Sequence, residues 1–324
     1  MSTFNLALMR SQTTSTANAP STVEEIRLEQ TKSKNKNWYK WGPYLSERCW
    51  ATVREDYSFN GDAWRNFPFE YANSRVFRLG EDGLFGVSDN KQQLCMSIAL
   101  WNGRDERLKE RLFGLTGPQG NHGEDVKELY YYLDNLPSHP YMKALYKYPF
   151  ARAFPYAELR EENEKRGYQE QEFEIYDIDG LFKVEETGDT PYFDVFYEMA
   201  KDDNNPDELN FRVTVYNRSE VETGELYIIP QVFFRNTWSY ERDNADHTKP
   251  VLKRAKRETN TLNVTHKRLG KSQFVFQPSP GIFNDTDDST PDDVNPVLLF
   301  TENESDLVNL FGEESNKAAL PNVP

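Results

Sequence analysis

The chain has 324 residues, a net charge of −15, and 37% hydrophobic and 14% aromatic residues. That acidity argues against nucleic acid or an anionic membrane as a partner, since both are bound through basic patches. The aromatic content argues against a disordered chain, because each Phe, Tyr and Trp buries a large area, and the length fits one large domain or two ordinary ones.

Cysteine is scarce. Cys49 and Cys95 supply neither a disulfide framework nor a zinc-ligand spacing, which suits a reducing compartment and leads us to expect a cytoplasmic protein. The opening Met1 to Arg10 lacks the apolar core of a signal peptide. No apolar run is long enough to span a bilayer as a helix. The glycosylation-like triplets at Asn217, Asn263, Asn284 and Asn303 are then chance matches.

In chain order, residues 1–37 read as a disordered or weakly structured tail, rich in Ser, Thr, Ala and Asn up to residue 24. The polar stretch 23–36 is compatible with a short helix. Organisation begins at Trp38. Residues 85–101 read as a hairpin turning at Asp89-Asn90-Lys91. The apolar run from Leu94 to Trp101 fits a strand buried on both faces, with a buried helix as the alternative. Asn102-Gly103 ends it as a turn. Leu108, Leu112 and Leu115 have helical spacing over 105–114. Tyr130-Tyr131-Tyr132 favours a strand over 126–133. Ser138 is a candidate N-cap for a short helix over 141–146, and a charged helix is expected from Pro155 to Gly167.

The second half changes character. Residues 173–176, 192–199, 209–216, 225–234, 261–266, 273–276 and 297–300 all read as strands separated by polar loops. Such spacing predicts a mainly β fold, an antiparallel β-sandwich with a few short helices. Pro230 demotes its strand to a sheet edge or a bulge. A short amphipathic piece over 306–311 follows. The sandwich is expected to occupy residues 38–312 as one domain, with 313–324 an unstructured end.

Residues 41–149 interleave aromatics, acids, arginines and glycines, a mixture suited to a polar ligand surface, particularly one for sugar. Arg54-Glu55-Asp56 and Glu81-Asp82 are carboxylate clusters near aromatics. Glycosidases use two carboxylates about 5–9 Å apart as acid and base or nucleophile; the bland alternative is ion pairing on a sandwich rim. Asn121-His122-Gly123-Glu124-Asp125 places a histidine beside two acids. This fits a polar ligand contact, a metal ligand or a structural loop. Trp41, Tyr44, Trp50, Tyr57, Trp64 and Trp101 could stack on sugar faces; Trp64, in a turn, is the exposed candidate, and Trp101, ending an apolar strand, reads as core. The acidic run over 285–293 lacks the glycine and closing glutamate of an EF-hand. Dinucleotide, P-loop and nucleophile-elbow motifs are missing, so no cofactor and no metal is expected.

Longer motifs then carry a resemblance. Trp41-Gly42-Pro43-Tyr44-Leu45-Ser46-Glu47-Arg48, Thr52-Val53-Arg54-Glu55-Asp56-Tyr57-Ser58, Gly61-Asp62-Ala63-Trp64 and Gly80-Glu81-Asp82-Gly83 resemble the N-terminal part of glycoside hydrolase family 63-like proteins. So do Leu100-Trp101-Asn102-Gly103, residues 109–115, residues 120–127, residues 141–149 and Phe234-Arg235-Asn236-Thr237-Trp238-Ser239. The resemblance covers roughly residues 38 to 312. It implies a β-sandwich (a supersandwich) that precedes a catalytic (α/α)6 barrel, and an α-glucosidic oligosaccharide or glucoside as ligand. No segment here matches the barrel, so the resemblance supplies no catalytic residue. It implies a domain that is catalytically incomplete alone, with a separately encoded barrel as a partner. Arg54, Glu55, Asp56, Trp64, Glu81, Asp82, Asn121, His122, Glu124 and Asp125 are the expected substrate contacts. The rival reading is a non-catalytic carbohydrate-binding or scaffold sandwich.

Overall fold

The computed structural model describes residues 21–45, 74, 84–110, 128–166, 170–238, 249–258, 260–278 and 296–312. In chain order these form α1 (Val23–Lys32), β1 (Trp41–Gly42), β2 (Val87–Asp89), β3 (Leu94–Trp101), β4 (Leu129–Asn135) and β5 (Tyr141–Pro149). There follow α2 (Tyr156–Glu164), β6 (Tyr192–Lys201), β7 (Leu209–Asn217), β8 (Tyr227–Phe234), β9 (Val251–Arg254), β10 (Thr261–His266), β11 (Gly270–Val275) and α3 (Leu307–Phe311). The protein is mainly β, and every strand pairing among the described residues is antiparallel.

Two four-stranded sheets, ordered β1-β2-β3-β8 and β4-β5-β6-β7, share one core. Side chains alternate across a strand, so every second residue points inward. Leu94, Met96, Ile98 and Leu100 of β3 thus face Met142, Ala144, Tyr146 and Tyr148 of β5, with Phe193, Val195, Tyr197 and Met199 of β6 beside them. Large residues sit opposite small ones, as in Ala144 against Tyr197, and Phe85 stacks on Tyr197 at 5.2 Å. The other face of β3 is buried too: Cys95 packs with Leu45 and Phe233. That two-sided burial is why the strand reads as an unbroken apolar run. The third sheet, β11-β10-β9, adds Val264 to the same core.

Several expectations are corrected. Residues 105–110 do not form a helix; the backbone of Lys109 instead pairs with Leu100, at 2.8 and 3.1 Å. It is the Lys109 side chain that turns inward, while Leu108 is exposed. The short helix expected over 141–146 is the start of β5, whose burial alternates strictly up to Tyr148. Ser138 bonds Glu24 of α1 rather than capping a helix. Residues 175–177 make a single 3-10 turn instead of a strand. Val297, Leu299 and Phe300 are exposed and outside any strand. Pro230 does sit on an edge strand, β8, opposite Ile98. Residues 313–324 lie outside the described residues.

Within the stretch expected to be weakly structured, α1 begins with a capping box between Thr22 and Glu25. It docks through charge: Glu24 accepts from Ser138 N at 2.6 Å, and Arg27 pairs with Asp203 at 2.5 Å. Behind it, Trp38 is fully buried, and the Lys201 ammonium donates to the carbonyls of Trp38 (2.6 Å) and Trp41 (2.7 Å). Lys201 thereby ties the end of β6 to the incoming chain.

Burial pulls the Lys201 ammonium from 10.5 down to about 8, against an opposing pull from Asp207. Its folded-state pKa thus lies below its unfolded one. Below about pH 8 both states hold the proton and the folded state bears the desolvation cost; from there to about 10.5 the unfolded chain binds more protons, so stability rises with pH. Relative to Lys201→Met, the wild type should gain on the order of 3 kcal/mol over that window, read by urea unfolding at stepped pH. A pH-independent difference would contradict this.

Candidate functional site

All ten substrate contacts expected from sequence, Arg54, Glu55, Asp56, Trp64, Glu81, Asp82, Asn121, His122, Glu124 and Asp125, lie outside the described residues. Trp50 and Tyr57 do as well. The described residues carry a different constellation, at the end of β3.

β3 closes on Trp101, which is half-buried and pairs across the sheet with Tyr227, the first residue of β8. Their rings lie 5.1 Å apart at 34°. The strand then turns at Asn102-Gly103. Asn102 is buried, and its Oδ1 accepts from the backbone N–H groups of Arg104 (3.0 Å) and Asp105 (2.9 Å). Its Nδ2 donates to the Pro149 carbonyl at 3.0 Å, clipping the turn to β5. Gly103 has φ 76°, and a Cβ there would stand 2.8 Å from the Glu225 carboxylate. Conformation and space both call for glycine.

Glu225 lies two residues ahead of Tyr227, just before β8 begins. The Tyr227 hydroxyl donates to Glu225. That bond, with the carboxylate's charge behind it, pushes the phenol up, so it remains a protonated donor. Phe193, Thr223, Gly224, Glu225, Leu226 and Tyr227 line a shallow depression. Gly224 lies against the Phe150–Phe193 pair, whose ring centroids are 4.7 Å apart; a side chain at Gly224 would collide with both rings. Tyr227 is 45% exposed and Glu225 is exposed. An aromatic face, an exposed carboxylate acceptor and an open rim can hold the C–H face and hydroxyls of a polyol.

Under this surface lies a buried charge network. Trp101 Nε1 donates to the Asp105 carbonyl at 2.9 Å. The Asp105 carboxylate accepts from the Tyr148 hydroxyl and from Phe154 N. The Lys109 ammonium lies 3.7 Å from Asp105 and 3.3 Å from Glu128, bonds the Tyr156 hydroxyl, and sits 3.5 Å from the Phe154 ring centroid. Tyr146 donates to Glu128 at 2.8 Å, while Glu128 Oε2 is buried with no hydrogen-bond partner among the described residues. Burial, reinforced by the Glu128 and Asp105 charges, drives the phenols of Tyr146, Tyr148 and Tyr156 far up. Tyr146 and Tyr148 serve as fixed donors, and Tyr156 accepts from the Lys109 ammonium. Lys109 is 1% exposed, so this network braces the surface above it and meets no solvent.

The sequence marks Trp101 as core; its half-burial and contact with Tyr227 correct that in part. Glu225 and Tyr227 were legible only as the start of a strand; their spacing of two was the available sign. Among the described residues, no group of three His, Cys, Asp or Glu side chains is arranged to hold a metal ion. No described helix is long and apolar enough to cross a membrane.

No family model and no solved structure matches the chain. It is similar to the Saccharomyces cerevisiae protein named Uncharacterized protein YMR196W, with 66% identity over 301 residues, 91% of this chain and 28% of that protein. The chain therefore spans well under a third of the length of the curated relative it matches.

Removing one member of a buried ion cluster leaves uncompensated charge, a loss of about 3–5 kcal/mol. Lys109→Met should lower unfolding free energy by that amount, and adding Glu128→Gln should restore part of it, as measured by urea denaturation. A loss below about 1 kcal/mol, the level of an exposed pair, would show that the network braces nothing.

Proposed function

We propose that this chain is the sugar-gripping N-terminal sandwich of a larger, glucosidase-like glycoside hydrolase acting on α-glucosidic oligosaccharides in the cytoplasm. The observation that carries the reading is the pairing of the Tyr227 ring, backed by Trp101, with the Glu225 carboxylate on an open depression. An aromatic face takes up the C–H face of a pyranose, and a carboxylate accepts its hydroxyls. Glu225 is the one carboxylate among the described residues lining that depression, so the site grips and does not cleave. The catalytic acid and base belong, in this reading, to a barrel in the remainder of the longer protein. Two features support it: the two-layered antiparallel sandwich, and the much greater length of the yeast relative.

Titration calorimetry with maltotriose should detect binding by the purified chain, with no release of glucose from maltotriose or from aryl α-glucosides. Tyr227→Ala should weaken binding about tenfold, equivalent to ~1.4 kcal/mol. Turnover by the chain alone, or affinity unchanged in Tyr227→Ala, would contradict the assignment.

A further inference from the structure

The charge of this chain is unevenly distributed. Residues 249–273 hold eight lysines and arginines against one carboxylate, Glu258, a net +7 within a chain of −15. The remaining residues therefore carry −22. The basic segment is the three-stranded sheet β11-β10-β9 with its two connecting turns.

The pleat sorts the side chains of this sheet. Leu252, Val264 and Phe274 pack on the core. The opposite set faces outward. Lys253, Asn263 and Gln273 form one row across the strands, and Val251, Thr265 and Lys271 form the next. All six are exposed, and Gln273 Nε2 donates to Asn263 Oδ1 at 3.2 Å. Exposed cations continue at both ends of β10: Arg254, Lys256 and Arg257 on the β9 side, Lys267 and Arg268 in the turn to β11. The stripe thus runs the six-residue length of β10, about 20 Å. Lys249 is neutralised by Glu302 and Glu304, at 2.7 and 3.2 Å. Among the described residues, no carboxylate lies within ion-pair distance of Lys253, Arg254, Lys256, Arg257, Arg268 or Lys271.

We propose that this stripe docks an acidic, extended polypeptide segment of a partner protein. Exposed cations without carboxylates call for an anionic occupant, and three features select a polypeptide. The outward face is about 20 Å long and three strands, or about 10 Å, wide, the footprint of one extended segment. Such a segment presents a carboxylate at every second residue, the repeat that separates the Lys253 row from the Lys271 row. The amides of Asn263 and Gln273 and the Thr265 hydroxyl lie between those lysines and can bond peptide groups. No aromatic ring of this sheet, among the described residues, faces outward to stack a nucleic-acid base: Phe274 packs on the core, and His266 stacks on Phe234 at 5.5 Å. A duplex or an anionic bilayer would also lie over surface that carries the remaining −22. The inference is independent of the sugar reading.

The probe is a fluorescein-labelled peptide of about twelve residues alternating Glu and Ser, long enough to overrun the stripe. Fluorescence anisotropy with the full chain at low ionic strength should show saturable binding that weakens as salt rises. Reversing both outward lysines, Lys253→Glu with Lys271→Glu, should weaken it about tenfold or more. Lys32→Glu with Lys91→Glu makes the same change in net charge at exposed positions outside the sheet, and should leave affinity within about twofold. Absence of peptide binding, or equal losses in the two double variants, would overturn the proposal. Binding of a thymidine oligonucleotide or of phosphatidylserine vesicles as tight as that of the peptide would overturn the assignment to a polypeptide.

Discussion

The position of the Lys109 ammonium organises the rest of this structure. It sits between Asp105 and Glu128, out of contact with water, bonded to Tyr156 and lying over the ring of Phe154. A buried ammonium is costly unless opposite charge and hydrogen bonds surround it, so every neighbour is constrained. Its backbone pairs with β3, Glu128 leads into β4, Tyr146 and Tyr148 belong to β5, and Tyr156 opens α2. One cation therefore joins the two sheets of the sandwich to the helix beside them. The site inherits that rigidity, because the same Asp105 that faces Lys109 holds the Trp101 indole through its carbonyl.

The N-terminal segment repeats this logic at the opposite end of the core strands. Lys201 closes β6 by capping the carbonyls of Trp38 and Trp41, just as Lys109 closes the turn after β3. In both places a lysine is buried against carbonyls or carboxylates. The two differ in compensation: Lys109 has carboxylates beside it, whereas Lys201 rests mainly on carbonyl dipoles, and burial pulls its pKa down. Between these clamps the core is conventional, with alternating inward residues on three adjoining strands. It thins towards β7, where the apolar face is only half-covered.

How much of this was legible follows from the range of the forces involved. The β character, the antiparallel sandwich, the two-sided burial of β3 and the edge position of β8 were readable, since period-two alternation and Pro230 are local signals. The errors came where tertiary contacts override local pattern. Leu108 and Leu112 have helical spacing, yet the buried side chain is Lys109, because Asp105 and the more distant Glu128 form a carboxylate cage that receives it. Ser138 has cap chemistry, yet Glu24 from α1 claims it. Glu225 and Tyr227 became a candidate site only through the β3–β8 pairing, which sets Trp101 opposite Tyr227. No sequence window contains all of them.

In the function proposed, the sandwich grips sugar on a rim held by buried charge, and the similar yeast protein extends far beyond the matched region. The glucosidase-like reading and the depression are mutually consistent, because a domain that grips a glucan chain beside a cleaving barrel needs aromatics and acceptors without an acid–base pair. The most direct measurement is a crystal structure of the chain grown with saturating maltotriose. The account predicts a glucose ring lying against Tyr227 and Trp101, with a hydroxyl bonded to the Glu225 carboxylate. An empty depression, or the sugar ordered at some other surface instead, would contradict it.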